Sequence, residues 1–189
     1  MRRSPPHLSC CRFSKPGAIG CALKRVSVVR SPFPARGMGW PWIFPPAPWT
    51  CADPPAALIR ALGNVPSAVL KIEDNYFAIY ASQEEVRRIR PGFRLLEQLH
   101  PAGVAITAPG DDTDFVSRYF APSYDIPEDP VTGSTHCSLG PYWAQRLGKT
   151  SLHALQVSER GGEIWCKVGP ERVTLKGNAV LTLQGELLI

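Results

Sequence analysis

A regular pattern of apolar and polar positions begins only near Pro55, and from there the chain reads as a series of short elements. Ala56–Leu62 predicts a helix stopped by Gly63. Ala68–Glu73 and Tyr76–Ala81 run or alternate apolar around Asp74-Asn75, the pattern of a hairpin. Ser82, with Glu85 three residues on, has the spacing of a capping box and opens a helix over Gln83–Ile89 that Pro91-Gly92 ends. Phe93–Leu99 predicts another short helix, Gly103–Ala108 and Phe115–Phe120 strands. Further strands are expected at Ala154–Ser158, Glu163–Val168, Arg172–Leu175 and Val180–Leu183, separated by Gly161-Gly162, Gly169-Pro170 and Gly177-Asn178. Helices mixed with hairpins give an α+β domain.

One stretch breaks this rhythm, Asp125 to Lys149. Pro127 and Pro130 predict an acidic, turn-prone loop through which no helix runs. Thr132-Gly133-Ser134-Thr135 then supplies small hydroxyl residues and a glycine where a helix should start. The helix expected over Ser134–Leu147 is apolar or small on more than one face, which marks a buried helix. Gly140-Pro141 should bend it or end its first turns. A buried helix entered from such a loop presents free N–H groups and a positive dipole end, which suit a carboxylate. Asp129 stands beside it as a candidate acid, base or orienting group.

Charge is divided along the chain. The net +5 hides a first 50 residues that hold eight of the 21 basic residues and none of the 16 acidic ones, so the remainder carries 13 basic against 16 acidic. A basic, proline-rich leader over residues 1–42, disordered or unrelated to the fold, thus precedes a mildly acidic domain. That distribution does not point to nucleic acid. No apolar run approaches the roughly 18 residues of a membrane span. The six cysteines have no zinc spacing and no C-x-x-C, and Cys137 and Cys166 fall in expected core elements; a reducing, cytoplasmic setting fits. Asp111, Asp112 and Asp114 read as a solvated acidic loop rather than a metal site.

EDPVTGSTH at Glu128–His136 followed by PYWAQRLGK closely resembles the signature of the phenazine-biosynthesis-like (PhzF-like) isomerase family, which shares the diaminopimelate epimerase fold. DFVSRYFAP at Asp114–Pro122, QVSERGG at Gln156–Gly162 and RVTLKGNAVLTLQGEL at Arg172–Leu188 agree in order. The resemblance runs from about Ile43 to the C-terminus and corresponds to the second half of such a protein, with 43–55 a proline- and tryptophan-rich linker and 56–189 the domain. It implies a curved mixed or antiparallel sheet wrapped around one central helix, one half of a diaminopimelate-epimerase-like fold, with 180–189 returning to the sheet of the other half. It also implies a cofactor-free isomerase or epimerase that moves a proton on a small carboxylate-bearing substrate in a cleft between two halves. Residue by residue, Asp129 and Ser134 match the family's functional aspartate and serine. Gly133 and Thr135 would offer N–H donors to substrate, and Arg160 an anion contact.

The family's first half supplies a glutamate, and residues 1–42 contain none. The chain is therefore expected to be inactive or nearly so alone. The alternative is a non-catalytic half-domain that binds a small anion or pairs with a partner chain, a homodimer being one version. Each candidate also has a plainer role: Asp129 or Ser134 as a turn or helix cap, His136 as a hydrogen-bonded core histidine, and Arg160-Gly161-Gly162 as a bend where backbones approach closely.

Overall fold

The computed structural model describes residues 42–44 by backbone, and 49–72, 74–99 and 103–178 in full. The leader up to residue 41 and the last expected strands over Val180–Leu188 lie outside the described residues.

The elements follow in chain order as β1 (Trp42–Phe44), β2 (Thr50–Cys51), α1 (Ala56–Leu62), β3 (Ala68–Ile72), β4 (Asn75–Ile79), α2 (Gln83–Arg88), α3 (Phe93–Glu97), β5 (Val104–Pro109), β6 (Phe115–Ala121), a 3-10 turn (Pro122–Tyr124), β7 (Ile126–Asp129), α4 (Gly133–Leu147), β8 (Ser151–Gln156), β9 (Gly162–Val168) and β10 (Val173–Gly177). The strands form one mixed sheet in the order β1-β10-β9-β8-β6-β5-β4-β3-β2, with β7 paired to β6 off this path. The β4–β5 and β6–β8 pairs are parallel and the others antiparallel.

β1 and β2 stand at opposite ends of the path, yet only five residues separate them. That many residues reach about 20 Å at most. A flat sheet of nine strands would place its edges about 38 Å apart. The sheet therefore curls until its ends approach, and α4 lies on the face inside the curl.

Strand alternation sorts the side chains to two faces. Phe77, Ile79, Ala105, Phe115, Leu152, Ile164 and Leu175 turn to α4 and pack around its Cys137, Leu139 and Trp143. Val69, Ala78, Val104, Ile106, Val116 and Phe120 turn the other way, onto Leu58 and Leu62 of α1, Val86 of α2 and Leu96 of α3. The two parallel crossovers thus run on opposite faces, β4 to β5 through α2 and α3, and β6 to β8 through α4.

The α+β class is as the patterning predicts, and the curved sheet around a central helix is as the resemblance implies; several details differ. Two short strands overlap the stretch 43–55 expected as a linker: β1, which begins at Trp42 in the expected leader, pairs with β10, and β2 with β3. Trp49 packs its ring edge-on against Tyr142, 5.9 Å between centroids, and so belongs to the α4 core. The loop expected at 125–132 contains strand β7, and Pro127 is tolerated there because β7 pairs only with β6. Asp125, in the left-handed region at φ 59, turns the chain into it.

α4 is continuous through Pro141. A side chain before proline ordinarily clashes in the α conformation, and Gly140 has none. That same bare position lets the helix lie against Cys166, Val168 and Val173, each 3.5 to 3.6 Å from where a Cβ would stand. The helix is buried all round only over Thr135–Gly140; Ser134, Gln145, Arg146 and Leu147 are exposed.

The capping box forms with a shift of one residue. Ser82 Oγ accepts from Glu85 N, but the Glu85 carboxylate reaches back to Ala81 N at 2.9 Å rather than to Ser82. The acidic loop is not merely solvated. Asp114 is a staple: one carboxylate oxygen pairs with Lys149 at the end of α4 and the other accepts His153 N at 2.8 Å. Burial pushes its carboxyl up, but these bonds and the Lys149 charge outweigh that and hold it below the ordinary carboxylate range. No group of three or more His, Cys, Asp or Glu suited to a metal occurs among the described residues.

Candidate active site

Two strands share one edge of β6. β8 pairs with Phe115–Ser117 and β7 with Tyr119–Ala121, so the ladders part at Arg118. The chain leaving β7 turns through Pro130–Thr132 within this fork and enters α4. The N-terminus of a buried helix is thereby brought to the carboxyl end of a strand in a parallel crossover, where helix N–H groups are open to ligands.

Alternation along β7 separates two adjacent carboxylates. Glu128 faces the α1–α3 layer and forms a two-pronged ion pair with the buried Arg118, Nε to Oε1 at 2.7 Å and Nη2 to Oε2 at 2.9 Å. Arg118 Nη1 also donates to the carbonyls of Val86 (3.2 Å) and Ile89 (2.7 Å), which end α2. Asp129, paired in register with Tyr119, faces α4. Its Oδ2 accepts from Thr132 Oγ1 at 2.6 Å, and Oδ1 has no hydrogen-bond partner among the described residues.

Behind this pair lies Gln156, fully buried at the end of β8. Its Oε1 accepts Thr132 N at 2.8 Å, and its Nε2 donates to the Asp129 carbonyl at 2.7 Å and to Thr132 Oγ1 at 3.2 Å. Ser158 adds a further bond, Oγ to the Pro130 carbonyl at 2.7 Å. Gly161, at φ 70, donates its N–H to that Ser158 oxygen, and Gly162 lies against Val131, whose Cγ2 is 2.4 Å from where a Cβ would be. The bend at Gly161-Gly162 thus fastens the turn of residues 158–161 to the loop that carries Asp129.

Thr132, not Ser134, is the N-cap of α4, and its side chain makes no cap bond. The first-turn N–H groups of Gly133, Ser134 and Thr135 have no partner among the described residues and carry the positive end of the helix dipole. Ser134 is exposed beside them and Thr135 buried. Tyr119 closes the inner side; its hydroxyl donates to Asn75 Oδ1 at 2.9 Å, in space that a Cβ on Gly103 would occupy. Burial first, then the Tyr124 and Asp129 charges, raise the Tyr119 phenol above its ordinary range.

His136 is a core residue. Its Nδ1 donates to the Thr132 carbonyl at 2.7 Å, which leaves Nε2 to accept from Ser117 Oγ at 3.2 Å. Complete burial pushes its ring down to about 4, against a smaller upward pull from the Thr132 bond. The ring is neutral in the fold and charges in the unfolded chain near pH 6.5. Stability is therefore whole above pH 6.5 and falls as pH drops toward 4, by about 3 kcal/mol over that window. Urea unfolding at pH 7, 5.5 and 4.5 should show this slope in the parent and about one proton less of it in His136→Asn; equal slopes would refute the assignment.

Of the residues singled out in the sequence, Asp129, Gly133, Ser134 and Thr135 come together at one helix end. Arg160 stands apart, exposed on the turn that Ser158 fastens to the loop, with no ion-pair partner among the described residues. The sequence does not single out Gln156, Ser158 or Arg118 as parts of the site, and it offers Thr132 only as one of the helix-start residues. For Gln156 a signal existed: it continues the core-facing phase Leu152, Ala154, where a polar residue implies a buried hydrogen bond.

The family model described as phenazine biosynthesis-like protein matches residues 52–185. An uncharacterized isomerase of Pseudomonas aeruginosa is 52% identical over 130 residues, 69% of this chain and 50% of that protein. One of Halalkalibacterium halodurans is 42% identical over 137 residues, 71% and 52% respectively. The crystal structure of a phenazine biosynthesis protein of the PhzF family from Enterococcus faecalis superposes with a TM-score of 0.74 at 38% identity, covering 80% of this chain and 58% of that one. The chain spans about half the length of the curated relatives it matches.

Proposed function

The chain belongs to the phenazine biosynthesis-like family, and from that premise we propose that it forms one wall of a proton-transferring isomerase acting on a small carboxylic acid. The observation that carries this reading is the Asp129 carboxylate, with one oxygen uncommitted, held beside the open N–H groups of Gly133, Ser134 and Thr135. A substrate carboxylate would sit on those N–H groups and spread its charge into the helix dipole. Asp129 would take a proton from carbon, or return one, through Oδ1; Ser134, exposed at the same end, would hydrogen-bond the substrate. Arg160 would meet an anionic group from the neighbouring turn. No cofactor enters this scheme.

Isomerisation by proton transfer needs a second group on the opposite side of the substrate and a site closed to water. In this reading that wall lies outside the described domain, and the domain alone is inactive. A reducing, cytoplasmic setting accords with the buried, unpaired Cys137 and Cys166, whose thiols burial raises to about 11 and about 12.

The test is an amide NMR titration of the chain with crotonate, a small unsaturated carboxylate. Saturable shifts confined to Gly133–Thr135 and their neighbours are expected. They should weaken with chloride, as a charge interaction must. Absence of saturable shifts there would overturn the substrate reading. A second reading, a non-catalytic half-domain that pairs with a partner chain or with itself, draws on the exposed Ile126 beside the loop and on the length of the relatives. A stable dimer in sedimentation, with no crotonate response, would favour it.

A further inference from the structure

We propose that Thr132 and Gln156 are positioning residues that hold the Asp129 carboxylate in a single orientation, Oδ2 spent on the protein and Oδ1 turned to the substrate. The inference deepens the reading of Asp129 as the proton-transfer group and rests on it for its functional meaning.

The direction of every bond in the network follows from the backbone. Gln156 Oε1 faces Thr132 N–H, which can only donate, and Gln156 Nε2 faces the Asp129 carbonyl, which can only accept. The amide orientation is thereby settled without choice. With Nε2 also directed at Thr132 Oγ1, that hydroxyl accepts a hydrogen bond from Gln156 and must donate its own hydrogen elsewhere. The only acceptor it meets among the described residues is Asp129 Oδ2, at 2.6 Å. One buried amide thus fixes a backbone turn, a hydroxyl rotor and a carboxylate.

A purely structural account does not explain how Thr132 is used. An N-cap threonine normally accepts from an N–H of the first helical turn. Thr132 stands at the N-cap and makes no such bond. Its hydroxyl goes to a carboxylate instead, and the first-turn N–H groups stay open. Helix stability is forgone at the place where an anion would bind, a trade expected of a site and not of a cap.

The measurement is the set of three-bond couplings between Asp129 Cγ and its backbone nitrogen and carbonyl carbon. It is read on the folded, isotope-labelled chain at a temperature well below each variant's unfolding midpoint. The parent should show one χ1 rotamer. Thr132→Val and Gln156→Leu should show couplings averaged over rotamers, with crotonate affinity lowered about tenfold. Thr132→Ser should restore both readouts. Gln156→Glu keeps the size and the acceptor but loses the two donors; it should behave as Gln156→Leu, which covers the case in which that variant does not fold. A role in stability alone would lower unfolding midpoints and leave the couplings unchanged. Unchanged couplings in Thr132→Val and Gln156→Glu would overturn the proposal. If the parent does not bind crotonate, the substrate reading fails, and the couplings still decide whether Asp129 is positioned.

Discussion

Trp143→Ala should cost this domain about 3–5 kcal/mol, roughly a fifth or more of the stability of an ordinary domain. Trp143 sits in the second half of α4, 1% exposed, and is the largest fully buried side chain among the described residues. Its ring stacks on Phe115 of β6 at 5.7 Å and 9° between planes, and meets Tyr142 edge-on at 5.3 Å. It pegs the central helix to the concave face of the sheet. Its Nε1 donates to Thr107 Oγ1 at 3.0 Å, and that hydroxyl in turn donates to the Val116 carbonyl at 2.6 Å. Two effects would be lost together, packing and one buried hydrogen bond, and their sizes differ. A neutral buried bond is worth about 1 kcal/mol, whereas truncating an indole leaves a cavity the surrounding strands cannot close. Trp143→Phe, which keeps an aromatic ring and loses the bond, should therefore cost only about 1–2 kcal/mol. Urea unfolding midpoints of the two variants against the parent decide this. Equal losses would mean that the hydrogen bond, not the packing, holds the helix.

Much of this core was legible from patterning, because strand and helix periods report burial directly. Leu152, Ala154 and Ile164, Cys166 fall in phase, and an unusually apolar, small-residue helix announced a central position. The motif loop was legible too, through composition: glycine and hydroxyl residues after Asp129 imply an open helix start. What could not be read is what depends on strand pairing. β7 looked like a loop because two prolines flank its acidic residues, and only pairing with β6 makes it a strand. Once it is a strand, Glu128 and Asp129 must point to opposite faces, and one adjacent pair of acids acquires unrelated tasks. Gln156 and Thr132 lie 24 residues apart in sequence and meet only because β8 and β7 share an edge of β6. The linker strands β1 and β2 are two or three residues long, too short for any periodicity to show.

Arg118 is the clearest case of a residue hidden by its surroundings, and its removal should have an effect as large as that of Trp143. It lies in the apolar run FVSRYF, 8% exposed, with the Glu128 side chain one-fifth exposed opposite it. Its guanidinium also lies 4.9 Å from the Phe120 ring centroid. Arg118→Met keeps most of the stem's packing but leaves the largely desolvated Glu128 without a counter-charge. It also takes the side-chain donor from the Val86 carbonyl and leaves the Ile89 carbonyl only Arg90 Nη1, at 3.2 Å. Breaking a buried pair from one side costs about 3–5 kcal/mol, because the remaining charge stays where water reaches it poorly. The pair itself need not be worth that much, since desolvating both ions offsets most of their attraction. Arg118→Met combined with Glu128→Gln should accordingly recover more than half of the loss, as no charge is then stranded. The single variant also bears on the site, since Glu128 directly precedes Asp129 and a loosened strand end would let the carboxylate drift. Denaturation of the two variants separates the possibilities. A double variant no better than the single one would mean that the bonds to the α2 carbonyls, rather than the stranded carboxylate, dominate, and that Arg118 serves first to dock that helix.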